Sequence, residues 1–244
     1  MTLVVGSYHT VRFLNIATHI NRLRTYIRKQ NQTSVLVDCI ESSEFVSKIS
    51  STHIYNLYSG TGPMIFITSL LFYPLTNDET ILLVGTSLGL FIINHRQQTP
   101  IQLAFPKSIW TASEYIESLR LINYQSTRLI AMNILYLDQI YCFDLDKSLR
   151  EQQLHICFTL SNPFRQIPTK LGVYSTDNLF ECIVGSNHGS FYYHRIDSSS
   201  KHQSEIVWPQ TESCPLPYIL STCLNKQYLC LTTNNNLICI YKRQ

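Results

Sequence analysis

The residues best suited to bind a ligand are four cations between positions 22 and 29. Arg22, Arg24, Arg28 and Lys29 form the main basic concentration of the chain, and Tyr26 lies among them. Cationic side chains bind phosphate oxygens and a tyrosine ring can stack on a base, so this segment could contact a nucleic acid or a phosphoinositide. It equally fits an edge strand whose charge discourages pairing with another chain.

Cysteine and histidine residues lack the spacing of a metal site. Among the eight cysteines, Cys214 and Cys223 lie nine residues apart, as do Cys230 and Cys239. Structural zinc sites instead have only two to four residues between paired cysteines. We therefore expect no metal and no other cofactor. Several cysteines stand inside apolar runs, which indicates small buried thiols rather than disulfides.

The acidic residues form no recognisable catalytic arrangement. Asp38 with Glu41, and Asp144 with Asp146, are close in sequence, and the second pair precedes Lys147 in what is predicted to be a turn. The chain has no phosphate-cradling glycine loop and no kinase motif set. We expect a protein that is not an enzyme. A hydrolase or lyase on this scaffold would need a central cluster of His, Asp or Glu side chains.

The composition favours an all-β protein. Of the 244 residues, 45% are hydrophobic and 14% charged, and 15 tyrosines stand against 2 tryptophans. Tyrosine is favoured in strands, and no long stretch has strong helix formers at helical spacing. The net charge of +3 is too small to indicate nucleic-acid binding by itself. The low charged fraction indicates a neutral polar surface or one that a partner covers.

The sequence predicts an intracellular protein, cytoplasmic or nuclear. Its first ten residues lack the basic and apolar regions of a secretory signal. The longest apolar run lies near Met64 to Tyr73 and is too short to span a bilayer. We therefore expect no transmembrane segment.

One pattern recurs along the chain. Five segments share the order apolar strand, polar turn, apolar strand: 3–14, 82–93, 129–145, 182–193 and 228–241. Glycines punctuate the turn in two of them, namely Gly85 with Gly89 and Gly185 with Gly189. Such turns predict β-hairpins. In the last one, Ile238 and Ile240 alternate with Cys239 and Tyr241, so one face can be buried.

The hairpins recur at the spacing of propeller blades. Gly85 and Gly185 lie 100 residues apart, or two units of 50, and one hairpin per 40 to 50 residues is typical of blades. The order strand, Phe-x-Pro, turn, strand, Gly-Ser/Thr, turn, Gly, strand resembles a WD40 repeat. The resemblance covers 54–95 best, and then 116–145, 169–196 and 218–242.

The resemblance departs from the family pattern in two ways. The Trp-Asp pair is absent, since Trp110 and Trp208 are followed by Thr111 and Pro209, and no unit has a clear Gly-His pair. Residues 81–146 also resemble, more weakly, a citron-homology propeller. The repeat is therefore identified as a divergent WD40-like β-propeller.

The resemblance implies an all-β propeller of four-stranded antiparallel blades. We predict one domain over 1–244, with an irregular first blade at 1–50 and repeat units at 51–96, 97–147, 148–197 and 198–244. The first blade would have strands near 3–5, 11–16, 23–27 and 34–40, and the polar stretch 198–204 would be a loop between units. The alternatives are about five blades or an incomplete, partial ring.

The family resemblance implies a binding scaffold. Propellers present rigid loops, so we expect a non-enzymatic protein–protein interaction module that is a subunit of a larger complex. Tyr192, Tyr193 and Trp208 are candidate interface anchors, because Tyr and Trp are enriched at binding hot spots. The alternatives are binding of nucleic acid or anionic lipid through 22–29, which is not favoured, and a propeller-scaffold enzyme.

Overall fold

The computed structural model describes residues 2–7, 10–15, 51–57, 65–75, 79–94, 99–106, 109–110, 114–162, 169–185, 190–197, 200–207, 218–234 and 238–243. The chain divides into two compact units, Met1–Ile67 and Thr68–Gln244, and each is described by itself. The single domain over 1–244 stays a prediction.

The first unit contains a three-stranded antiparallel sheet. Its order is β1 (Thr2–Ser7), β2 (Thr10–Asn15), β3 (Ser51–Asn56), and β1 with β2 forms the first predicted hairpin. β3 pairs with β2, although the sequence grouped 51–56 with the following repeat unit. The sequence of a six-residue strand contains no signal for the hairpin that it joins. The assignment of 51–56 to a sheet therefore depends on the observed strand pairing. The strands predicted near 23–27 and 34–40 lie outside the described residues.

The second unit contains four antiparallel sheets in chain order. Sheet A has β4 (Ile67–Pro74), β5 (Thr80–Thr86), β6 (Gly89–Asn94) and β7 (Ile101–Leu103). Sheet B has β8 (Ile116–Tyr124), β9 (Thr127–Ile134), β10 (Gln139–Asp144) and β11 (His155–Ser161). Sheet C has β12 (Gly172–Thr176), β13 (Leu179–Gly185), β14 (Ser190–Asp197) and β15 (Lys201–Val207). Sheet D has β16 (Ile219–Leu224), β17 (Tyr228–Thr233) and β18 (Ile238–Lys242).

The predicted hairpins are confirmed as the second and third strands of these sheets. They are β5 with β6, β9 with β10, β13 with β14 and β17 with β18. The fourth strands extend further along the chain than the hairpin pattern indicated. β15 begins at Lys201, so part of 198–204 is strand and not loop. Its exposed polar residues hide the alternation that marks a half-buried strand.

One short helix, α1 (Leu145–Glu151), connects β10 and β11. The Asp144 carboxylate accepts a hydrogen bond from the Lys147 amide at 2.9 Å, which caps the first turn. The predicted turn at this position is therefore a capped helix start. Gln152 ends the helix with φ at 54°.

Apolar layers fill the spaces between successive sheets. Alternate strand residues point to opposite faces, so an inner sheet buries one face on each neighbour. Three such layers lie between A and B, B and C, and C and D; they include Leu83, Leu119, Met132 and Phe143, then Ile140, Phe180 and Cys182, then Ile183, Ile219 and Leu231. This face-to-face stacking of short antiparallel sheets is the arrangement of propeller blades.

Two of the repeat glycines lie where one sheet approaches the next. A Cβ atom on Gly85 would come within 2.6 Å of Ile116 Cγ2, and one on Gly185 within 2.6 Å of the Ile219 carbonyl oxygen. Both glycines lie inside strands, β5 and β13. Gly89 has φ at +120° and forms the turn between β5 and β6. The repeated spacing of Gly85 and Gly185 thus reflects close sheet packing.

The side chain and the backbone of one lysine together connect the four sheets. Lys170 precedes β12, and its ammonium group donates to the Thr68 carbonyl of β4 at 2.8 Å and to the Glu117 carbonyl of β8. Its amide donates to the Leu220 carbonyl at 2.9 Å, and its carbonyl accepts from the Thr222 amide of β16 at 3.1 Å. The first strands of the sheets therefore converge on this residue.

A second cation, Arg120 of β8, lies beside Lys170. Its guanidinium donates to the Leu171 carbonyl at 2.9 Å and to the Leu119 carbonyl at 3.1 Å. In the described part of the chain, neither cation forms an ion pair with a carboxylate. Burial lowers the pKa of both groups, and the charge of Arg120 further lowers the pKa of Lys170. Backbone carbonyls therefore carry most of the stabilisation of these two charges.

Replacing Lys170 should destabilise the second unit. Lys170→Met keeps the aliphatic stem but leaves two partly buried carbonyls without their donor, so we expect a loss of roughly 1 to 3 kcal/mol in the free energy of unfolding by urea. Lys201→Met is the matched control, because Lys201 is exposed and also donates to a carbonyl, that of Thr159 at 3.1 Å. The free energy of unfolding of the Lys201→Met variant should fall by no more than about 0.5 kcal/mol. Equal losses for the two variants would contradict the role of Lys170.

A histidine is buried between sheets B and C. His194 is 1% exposed and stands opposite Cys182 in the β13–β14 register. Burial lowers its pKa to about 4, and the Lys201 charge acts in the same direction. The unfolded chain, with a histidine pKa near 6.5, therefore binds the proton more readily than the folded chain. Folding stability should rise with pH between about 4 and 6.5 and fall on acidification through that window.

The acid sensitivity should depend on this one imidazole. The lowered pKa of His194 corresponds to a contribution on the order of 3 kcal/mol to the free energy of unfolding, and this contribution is lost as the pH falls from 6.5 to 4. We expect His194→Leu to flatten the dependence of urea-unfolding free energy on pH across this window. His202→Gln, which alters an exposed histidine on β15, should leave the slope unchanged. An unchanged slope for His194→Leu would contradict the prediction.

Candidate functional site

Arg22, Arg24, Arg28 and Lys29 lie outside the described residues, as do Gly189 and Trp208. Their proposed contacts with a phosphate or a partner stay predictions.

Residues 85–89 match the Gly-x-Ser-x-Gly pattern of hydrolases but form a hairpin turn. A nucleophile elbow needs a strand, a sharp turn and a helix. Here the chain passes from β5 directly into β6. The Thr86 hydroxyl donates to the Gly89 carbonyl at 2.8 Å and accepts from the Leu88 amide at 3.0 Å. The motif therefore builds a turn and carries no catalytic serine.

Polar side chains near the first strands of the sheets are used in cross-links between them. The Ser69 hydroxyl accepts from the Leu119 amide at 3.0 Å, and the Ser118 hydroxyl accepts from the Leu171 amide at 3.1 Å. The Thr222 hydroxyl bonds the Ile183 carbonyl at 2.9 Å. Among the described residues, no group of three His, Cys, Asp or Glu side chains could hold a metal ion. These inner residues connect strands, so the more promising site lies elsewhere.

The outward face of sheet D is the most exposed apolar surface in the described part of the chain. Among the described residues, six of the ten large exposed hydrophobic side chains belong to sheet D or its turns: Tyr218, Leu220, Tyr228, Ile238, Ile240 and Tyr241. Tyr228, Ile238 and Ile240 share the outward face, whereas Tyr241 stands opposite Leu229 on the other face. Ile238 is 70% exposed and Ile240 is 68% exposed. The alternation in β18 thus predicts the strand correctly, but its isoleucine face is not buried. We call the surface of Cys223, Tyr228, Cys230, Ile238, Ile240 and Lys242 the open face.

Strand register assigns these residues to one side. Cys223 pairs with Cys230 and Cys230 with Ile240, while Tyr228 pairs with Lys242. Directly opposed residues share a face of the sheet. Leu229 and Leu231 occupy the other side and pack against sheet C. Sheet D is therefore covered on one face and open on the other.

The outer edge of β18 is open as well. In sheets A, B and C the third strand pairs with an antiparallel fourth strand, as β6 with β7, β10 with β11 and β14 with β15. Among the described strands, none pairs with the outer edge of β18. Such an edge presents backbone donors and acceptors that another strand can use.

An ion pair clamps sheet D to sheet C. Arg243, directly after β18, donates from Nη2 to both carboxylate oxygens of Glu181 at 2.7 and 2.5 Å. Glu181 lies on β13 and is fully buried, and the Tyr193 hydroxyl also donates to it. The Arg243 guanidinium stands 5.5 Å from the centre of the Tyr174 ring and donates to the Asn225 carbonyl at 2.6 Å. The clamp holds the end of the chain's last described strand in a defined position.

A cavity of about 150 Å³ lies beside the clamp. It is lined by Ile183, Phe191, Tyr193, Leu224, Leu229 and Arg243. Burial, together with the hydrogen bond to Glu181, raises the pKa of Tyr193 to about 12, so its hydroxyl stays protonated as a donor. Of the predicted anchors, Tyr193 thus lines this cavity. Tyr192 is 6% exposed and belongs to the core between sheets B and C, so it cannot serve as a surface anchor.

The cysteines divide between core and surface. Cys142 and Cys182 are buried, as expected for small apolar side chains, and burial raises the pKa of Cys182 to about 12. Cys157 and Cys223 are exposed, so the expectation of buried thiols is wrong for these two residues. The six cysteines in the described part of the chain are free thiols.

Comparison with known proteins identifies the fold and no family. No protein-family model matches the chain, and no curated protein matches it. Solved structures match over nearly its whole length. A chain of the mitotic checkpoint complex has 14% identity and a TM-score of 0.59, with 99% of this chain and 59% of that chain covered. BBS1N in complex with ARL6DN has 10% identity and a TM-score of 0.58, with coverages of 99% and 58%.

The designed protein Ika8 is a third match, at 8% identity and a TM-score of 0.50, with 98% of this chain and 57% of that chain covered. The chain thus spans about six-tenths of the length of these three proteins. Identities this low show the fold alone. Together with the stacked antiparallel sheets, they confirm the predicted fold class, a divergent propeller-like all-β fold. In the described residues, no helix is long and apolar enough to cross a membrane.

Breaking the clamp should loosen sheet D. Arg243→Met leaves the buried Glu181 carboxylate without its cation, and we expect a loss of roughly 2 to 4 kcal/mol in unfolding free energy. Adding Glu181→Gln should recover part of that loss, because the buried charge is then removed. Lys242→Met is the control, since Lys242 is exposed on the adjacent position and should change stability by less than about 0.5 kcal/mol. Similar urea-unfolding curves for Arg243→Met and Lys242→Met would contradict the clamp.

Proposed function

We propose that this chain is a non-enzymatic protein–protein interaction scaffold, a WD-repeat-like propeller that acts as a subunit of a larger complex in the cytoplasm or nucleus. The observation that carries the proposal is the open face of sheet D together with the outer edge of β18. Both are built on a sheet that the Arg243–Glu181 clamp joins to sheet C.

The exposure of the open face supports a protein partner. Fully exposing an aliphatic side chain forfeits about 1.5 to 3 kcal/mol relative to burying it. Ile238 and Ile240 are side by side on one face at 70% and 68% exposure, with Tyr228 at 42%. Contiguous apolar surface of this kind marks interaction sites in folded proteins. Its aromatic and aliphatic composition suits a protein surface better than a nucleic acid.

The arrangement of the inner polar residues supports a scaffold over an enzyme. The side chains of Ser69, Ser118, Arg120 and Lys170 bond to backbone groups of neighbouring strands. Residues committed in this way are not available to bind and transform a substrate. The structural neighbours from the mitotic checkpoint complex and the BBS1N–ARL6DN complex are components of assemblies, which agrees with a role in a complex.

Affinity purification of the full tagged chain should separate this function from its alternative. We expect Ile238→Lys with Ile240→Lys to lose the proteins that co-purify with the wild type, because two charges on the open face oppose burial in an interface. Phe72→Lys is the control, since Phe72 is 46% exposed on sheet A. A variant with Arg22, Arg24, Arg28 and Lys29 changed to Glu should keep the partners.

The same samples test binding of nucleic acid or phosphoinositide through 22–29. Loss of partners in the Glu variant alone, with binding that falls steeply between about 50 and 200 mM salt, would favour that alternative. Retention of every co-purifying protein by the Ile238→Lys, Ile240→Lys variant would contradict a role for the open face.

A further inference from the structure

The open edge of β18 defines what kind of partner segment it can accept. The inference rests on the proposed scaffold function and adds the conformation and chemistry of the bound segment. Sheets A, B and C each show what pairs with the outer edge of a third strand in this chain. In every one, an antiparallel fourth strand pairs along the outer edge, over seven positions in the case of β14 with β15.

The side chains of β18 specify which residues would fit opposite them. Ile238, Ile240 and Lys242 alternate along the strand and share the open face. Lys242 is exposed, and in the described part of the chain it forms no ion pair. Cross-strand neighbours are favourable when they join apolar with apolar groups, or opposite charges. A matching strand would therefore carry apolar residues opposite the isoleucines and a carboxylate opposite the lysine.

We propose that β18 pairs with an extended segment of a different protein, which adds to sheet D as an antiparallel fourth strand. The segment has apolar side chains opposite Ile238 and Ile240 and a carboxylate opposite Lys242. Backbone hydrogen bonds along the edge hold the segment, and the alternating side chains set its register.

A second copy of this chain fits the edge less well. Pairing β18 with its own copy about Ile240 would place Lys242 opposite Ile238 of the partner subunit. No other register supplies a carboxylate, because residues 226–244 contain neither Asp nor Glu. The charge of Lys242 therefore distinguishes a different protein from a second copy.

A synthetic nine-residue peptide serves as the probe. It has glutamate third, valine fifth and seventh, and threonine elsewhere, so an antiparallel register places these side chains opposite Lys242, Ile240 and Ile238. The control peptide has the same composition with its valines adjacent, which moves one valine to the opposite face. With the full chain, we expect the alternating peptide to bind at least about tenfold more tightly than the control and to protect the amides of 238–242 from hydrogen exchange.

Variants of the chain test each contact. Ile240→Lys should weaken binding of the alternating peptide by about tenfold or more, and Phe72→Lys should leave the affinity for that peptide unchanged. Lys242→Glu should weaken binding of the peptide with glutamate third and strengthen binding of a peptide with lysine third. Failure of this charge exchange would overturn the assigned register.

A disulfide test reads the register directly. Cys239 lies between the two isoleucines and is a free, partly exposed thiol. A peptide with cysteine sixth would place its thiol opposite Cys239, at a spacing that a cross-strand disulfide can bridge. Under thiol–disulfide exchange, mass spectrometry should find this peptide attached to Cys239, and a peptide with cysteine fourth should attach there at least about tenfold less.

The outcomes separate this inference from the function on which it rests. Equal binding of the alternating and control peptides, or concentration-dependent dimerisation that Ile240→Lys abolishes in sedimentation, would overturn the added strand. If co-purifying proteins still depend on Ile238 and Ile240 in that case, the scaffold function stands and only the bound conformation is wrong. If no co-purifying protein depends on the open face, the scaffold function through this surface fails as well.

Discussion

The first strands of the four sheets converge on Lys170, whose ammonium group is held among backbone carbonyls. Lys170 bonds the carbonyls of Thr68 and Glu117, while its own backbone bonds β16, so sheets A, B, C and D meet at one residue. Burying a lysine is unfavourable unless its charge is hydrogen-bonded, and the lowered pKa reflects that cost. Paired with two carbonyls, the group fixes the first strands at close range, where Gly85 and Gly185 leave space for the neighbouring sheet.

The open face follows from the position of sheet D at one end of the stack of four sheets. Each inner sheet buries an apolar layer on both sides, so its strands can be apolar on both faces. Sheet D has one covered face, and the residues on its other face keep the apolar character of an inner sheet. The Arg243–Glu181 ion pair joins the sheet to its neighbour, and Ile238 and Ile240 are exposed on the same strand.

The fold and the surface carry different information about function. Structures with 8 to 14% identity share the architecture, and an architecture hosts many unrelated functions. The distinctive features of this chain are local ones: an exposed isoleucine pair and, within the described residues, a lysine without an ion pair on the same face and a third strand with an open edge. These features argue for recognition of an extended protein segment, and they arise from residues that a fold comparison does not weigh.

By itself, the sequence determined the hairpins. Turn residues and alternating apolar residues lie next to each other along the chain, and hairpins depend on such local signals, so all five were predictable. Outer strands such as β15 lack that alternation, and β3 gives no sign that it joins β2. The contacts of Lys170 with Thr68 and of Arg243 with Glu181 span 102 and 62 residues, beyond any local pattern. Ile238 and Ile240 alternate just as buried residues do. Only the tertiary structure decided that they are exposed, because burial depends on which surfaces meet in space.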